Sequence, residues 1–84
     1  MRHAREQDLD RIEPLLVQIR RACPPLREKK RGVFYLKSRA YLHFHEDPKG
    51  MFADVGIGDF ERIQVDEPAG EAALLARIAA LDAP

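Results

Sequence analysis

Only one cysteine, Cys23, is present, so the chain cannot close an internal disulfide. A lone thiol suits a reducing compartment, and a cytoplasmic location is the expectation. Ser38 is the sole serine, and it stands between Lys37 and Arg39 with no histidine nearby in sequence. That removes the usual ingredients of serine-based catalysis. No apolar run is long enough to span a bilayer, so no membrane partner is expected. Residues 1–13 mix acidic and basic side chains, which is wrong for a secretory signal. Formal net charge is zero, so no overall field draws the chain toward nucleic acid or membrane. The glycines follow no phosphate-cradling spacing. Gly56-x-Gly58 reads as a hairpin turn, and no cofactor is expected. There is no internal repeat and no low-complexity segment.

What remains is a short chain, nearly half of it apolar. Its 84 residues, 45% of them hydrophobic, suit a single small domain over 1–84. A core of this size rarely supplies more than ~3–5 kcal/mol. A homodimer is therefore an attractive expectation, because an interface extends the core. Charge is unevenly spread. Arg20, Arg21, Arg27, Lys29, Lys30, Arg31, Lys37 and Arg39 crowd the middle, and acidic residues dominate after Glu46. The simplest expectation is that the two halves pair across the folded domain or lie on solvated faces.

Residues 1–7 read as a frayed end. Leu9, Ile12, Leu16, Ile19 and Cys23 then recur at helical spacing. Asp10 and Glu13 can form a capping box, or the helix can start at Ile12 or Glu13 with Pro14 in its first turn. Pro24 and Pro25 end it. Cys23 sits at the wrong end of that helix for a lowered thiol pKa and reads as a small core residue. Residues 26–31 read as a basic connector.

The stretch 32–55 reads as three strands joined by tight turns, at 33–36, 40–45 and 51–55. A fourth follows at 60–65, and a last helix starts near Pro68, with Ala72, Leu74, Leu75, Ile78 and Leu81 on its apolar face. A four-residue turn at 46–49 pairs Phe44 with Met51, Leu42 with Ala53 and Ala40 with Val55. A three-residue turn at 37–39 sets Phe34 opposite Leu42 and Leu36 opposite Ala40 on the same face. A two-residue turn at Ser38-Arg39 would instead turn Val33 and Tyr35 to the core. The expected fold is α+β: a two-layer α-β-β-β-β-α arrangement, with a four-stranded antiparallel meander and both helices on one face.

That register leaves Val33, Tyr35, Tyr41, His43, His45, Phe52 and Asp54 on the other face. Such a face is too aromatic to be meant only for water. A binding or self-associating module, not an enzyme, is the leading expectation, with Tyr35, Tyr41, His43, His45, Phe52 and Asp54 as the contact set. One alternative is a single-stranded nucleic-acid platform, where aromatics stack on bases and Lys29, Lys30, Arg31, Lys37 and Arg39 meet phosphates. The other is a transition-metal site on His43-x-His45. Strand geometry puts these imidazoles on one face, and Asp54, Asp47 or Glu46 can add a ligand. Glu46-Asp47 and Asp66-Glu67 are accounted for by a turn and a helix start.

Phe34-Tyr35, Arg39-Ala40, Leu42-His43-Phe44-His45-Glu46-Asp47 and Ala53-Asp54-Val55, with their flanking helices, resemble a family of short bacterial proteins of unassigned function. The likeness covers most of the chain and implies no role for any residue. A fainter resemblance is to YjbR-like domains, which also combine helices with an antiparallel sheet and are linked to DNA binding by their fold.

Overall fold

Alternating apolar residues in the middle of the chain build the sheet, and helical stripes on either side cover it. A computed structural model describes residues 1–81, so the last three positions of the expected domain lie outside the described residues. The elements, in order, are β1 (Arg2–His3), α1 (Glu6–Arg11), α2 (Glu13–Ala22), β2 (Arg27–Lys30), β3 (Val33–Leu36), β4 (Arg39–Asp47), β5 (Gly50–Val55), β6 (Glu61–Gln64) and α3 (Pro68–Ala80). The fold is α+β with an antiparallel sheet. Its order is β2-β3-β4-β5-β6, and β1 pairs with β4 off that path.

This corrects the expected four-stranded meander in three places. The basic connector is itself a strand, β2, at the sheet edge. Charged residues are common on such edges because they discourage further pairing, so composition alone concealed the strand. The supposedly frayed end forms β1, with Arg2 opposite Glu46 and His3 opposite His45. The first helix is two, broken at Ile12, and Pro14 falls in the first turn of α2. No helix among the described residues is long and apolar enough to cross a membrane.

The core face survives a changed register. Asp47 pairs with Gly50, so the second hairpin turns on Pro48-Lys49 alone, and Asp47 Oδ1 accepts the Lys49 N–H at 3.0 Å. Leu42 then faces Val55, Phe44 faces Ala53, and Met51 faces Glu46. The shift of two residues from the expected pairing keeps every side chain on its face, because the strand repeat is two. Leu42, Phe44, Met51, Ala53 and Val55 are all buried. With Phe34 and Val65 they form one cluster with Leu9, Leu15, Leu16, Ile19, Cys23, Leu74 and Ile78 from the helices. Leu75 and Ile63 are partly buried against it, whereas Ala72 and Leu81 are exposed.

The first hairpin differs more. Leu36 pairs with Arg39, Tyr35 with Ala40 and Phe34 with Leu42, which leaves Tyr41 as an extra residue in a β-bulge. The bulge turns Tyr41 inward beside Leu42 and leaves Ala40 exposed. Only Lys37 and Ser38 make the turn, at φ 50° and 69°. Two successive positive φ values are what a type I′ turn requires, and asparagine and glycine adopt them at least cost. Replacing Lys37-Ser38 by Asn-Gly is expected to stabilise the fold by about 1 kcal/mol. A melting temperature raised by ~4–8 °C would show it, and an unchanged one would count against this turn.

The basic residues pair mainly with carboxylates that precede or adjoin them, not with the acidic C-terminal half. Arg31 reaches Glu6, Asp10 and Glu13, and Arg20 reaches Glu13 and Glu28. Each exposed pair contributes little because solvent screens it, but together they tie α1, α2 and β2. Asp8 is different because it is buried. Its carboxylate accepts the Arg5 backbone N–H at 2.9 Å and an Arg2 guanidinium N–H at 2.8 Å. The backbone N–H first, then Arg2 and the charge of Arg11, hold its pKa below the ordinary 3.8 against the opposing effect of burial. Its stabilisation is therefore complete above pH 3.8 and is lost as pH falls through the lower folded value. Asp8→Asn is expected to melt below the parent at pH 7. Melts along a pH series would show that gap closing only below 3.8.

Candidate metal centre

Phase along β4 sets the site. With Leu42 and Phe44 turned to the core, His43 and His45 face the opposite side. Cross-strand pairing then delivers their neighbours. Asp54 of β5 lies opposite His43, Arg62 of β6 opposite Asp54, and His3 of β1 opposite His45. Phe60, just before β6, meets the His43 ring edge-on with centroids 5.0 Å apart.

His45 Nε2 lies 3.0 Å from Asp54 Oδ2, and His43 Nε2 lies 3.6 Å from the same oxygen. One ligand atom from each of the three residues falls within 4.8 Å of the others. Asp54 is 6% exposed despite being on the face away from the helices. Arg62 grips it with Nε on Oδ1 at 2.8 Å and Nη2 on Oδ2 at 2.9 Å. That two-pronged bond is the main reason the Asp54 carboxyl titrates below its usual range, with burial opposing it. Burial, then the neighbouring His45, pushes the His43 pKa below its ordinary value, against the pull of Asp54. His45 Nε2 is close to Asp54 but wrongly oriented for a hydrogen bond. It is buried and has no hydrogen-bond partner among the described residues.

Zinc bonds of ~2.0–2.1 Å to nitrogen and oxygen place tetrahedral donors about 3.3 Å apart. The separations of 3.0 and 3.6 Å to Asp54 Oδ2 bracket that value, while the three donors together spread over as much as 4.8 Å, so the imidazoles must draw closer on binding. Two imidazoles and a carboxylate suit Zn²⁺, and the same set suits Fe²⁺ when further positions stay open. Arg62 then occupies the place of an outer partner that fixes a ligating carboxylate. Neither Ser38, at the hairpin tip, nor Cys23, buried under the sheet, joins this cluster.

The expected contact set divides. His43, His45 and Asp54 come together. Phe52 lies opposite His45, partly buried. Tyr35 is partly buried, with the Lys29 ammonium 5.4 Å from its ring centre. Tyr41 leaves this face for the core, contrary to expectation, because the bulge interrupts the alternation. The expected basic set divides too. Arg31 is engaged by three carboxylates, Lys29 and Lys30 lie on β2, and Lys37 and Arg39 flank the hairpin tip.

Sequence reasoning missed His3 and Arg62. A two-residue strand carries no periodic signal, so nothing marked His3. Arg62 was within reach, since opposite charges often face each other across neighbouring strands. The length of the 56–60 connection was the needed clue. No protein-family model matches the chain, and no curated protein or solved structure matches it either.

Proposed function

We propose that this protein is a small transition-metal-binding module, with His43, His45 and Asp54 as ligands and Arg62 holding Asp54 in place. The observation that carries the reading is the buried His45 Nε2, which makes no hydrogen bond among the described residues and shares one Asp54 oxygen with His43 Nε2, at 3.0 and 3.6 Å. A buried polar atom without a partner is costly, and a bound cation would satisfy it. Three protein ligands leave a fourth position for water or another donor.

The test uses untagged protein stripped with a chelator, then titrated with Zn²⁺ by calorimetry and with Co²⁺ by visible absorption. One equivalent is expected to bind, and Co²⁺ to give ligand-field bands. His45→Ala and Asp54→Asn, checked for folding by circular dichroism, are each expected to weaken Zn²⁺ binding by at least about tenfold. Absence of both heat and bands at millimolar metal would overturn the reading.

A further inference from the structure

β4 has one edge paired by β5, and at His45 and Glu46 that pairing leaves only its other edge for β1. β3 uses this same edge further along, at Arg39 to Leu42. β1 and β3 therefore stand in line with a gap between them beside His43. A cleft of about 350 Å³ opens there, with His3, Ala4 and Tyr35 among its walls and Leu9, Leu42 and Phe44 among its apolar lining.

We infer that the bound metal also fastens β1, with His3 as its fourth protein ligand, making the N-terminal strand a metal-dependent latch beside this cleft. The inference rests on the metal-binding reading above. β1 is only two residues long, and a pairing that short is weak by itself. Ala4 extends it with one backbone bond, its N–H donating to the Phe44 carbonyl at 3.0 Å. Ion pairs add to this, from Arg2 to Asp8 and Glu46 and from the Met1 ammonium to Asp47 of β4. His3 lies on the ligand-bearing face because it is paired directly with His45. Its ring centre is 4.8 Å from that of His45 and 5.8 Å from that of His43. The imidazole is exposed, so a rotamer change can swing a nitrogen toward the other three donors without disturbing the core. A fourth protein ligand would convert an open site into the closed four-coordinate kind that contributes to folding.

The test is amide exchange at Ala4, followed by NMR in stripped protein with and without saturating Zn²⁺, in the parent and in His3→Gln. Zinc is expected to slow Ala4 exchange at least tenfold in the parent and to leave it nearly unchanged in His3→Gln. Without metal the two proteins should exchange alike, which a merely structural role for His3 would not produce. His3→Gln should still bind one Zn²⁺ through the remaining ligands, about tenfold more weakly. Zinc binding that leaves Ala4 exchange unaltered, or protects it equally in both proteins, overturns the latch while sparing the metal site. Absence of any zinc binding by the parent overturns both.

Discussion

Tyr41→Ala is expected to leave the chain largely unfolded at 25 °C, whereas Tyr41→Phe should raise its melting temperature. The ring is 3% exposed and belongs to the main core cluster. Truncating a buried aromatic costs about 3–5 kcal/mol, as much as a core of this size supplies. The hydroxyl is a separate matter. Tyr41 Oη is buried without a hydrogen-bond partner among the described residues. An unsatisfied buried hydroxyl costs about 1–3 kcal/mol, and phenylalanine keeps the ring while removing that cost. A gain near ~1 kcal/mol corresponds to ~4–8 °C in a domain of this length. Circular dichroism at 25 °C and thermal melts measure both variants. A folded Tyr41→Ala melting close to the parent would return the ring to the open face of the sheet.

Gly70→Ala is expected to destabilise, against the usual trend for helices. Intrinsic propensity favours alanine over glycine by up to about 1 kcal/mol, and Gly70 is not among the residues with positive φ. Packing decides otherwise. Gly70 lies in the first turn of α3, where the helix meets the backbone of β6. A Cβ there would overlap the Gln64 carbonyl oxygen and come within 3.4 Å of Ile63 Cγ2. A carbonyl cannot rotate away as a side chain can, so the helix must shift. Overpacking of this kind costs about 1–3 kcal/mol, sometimes more. Set against the propensity gain, a net loss of about 1–2 kcal/mol is a melting temperature lower by ~4–16 °C. A variant that melts above the parent would mean that α3 sits further from β6.

These two residues mark where sequence reasoning stops. Alternation through Leu42, Phe44, Ala53 and Val55 identified the core face, and that face survived an error in turn length because the slip was an even number of residues. Local pattern also located α3 from Pro68 and the stop at Pro24-Pro25. A bulge has no periodic signature, so Tyr41 looked like an outward residue until its partner strand was known. Gly70 looked like a slight flaw in a helix, since a close backbone approach depends on distant packing. At the candidate site, His43 and His45 were visible because two histidines two apart on a strand must share a face. Asp54 was one of three possible further ligands, with Asp47 and Glu46, and only the pairing of β4 with β5 chooses it. His3 and Arg62 reach the cluster only through strand pairings, which depend on how the whole sheet assembles.

The edge strand β2 has one more consequence. Its Arg27, Lys29 and Lys30 line the outermost rung of the sheet, with Glu28 the only acid among them. A second molecule docking the same rung side by side would bring like charges together along the seam. Filament growth through that rung is thereby opposed by repulsion, and the opposition should weaken in concentrated salt.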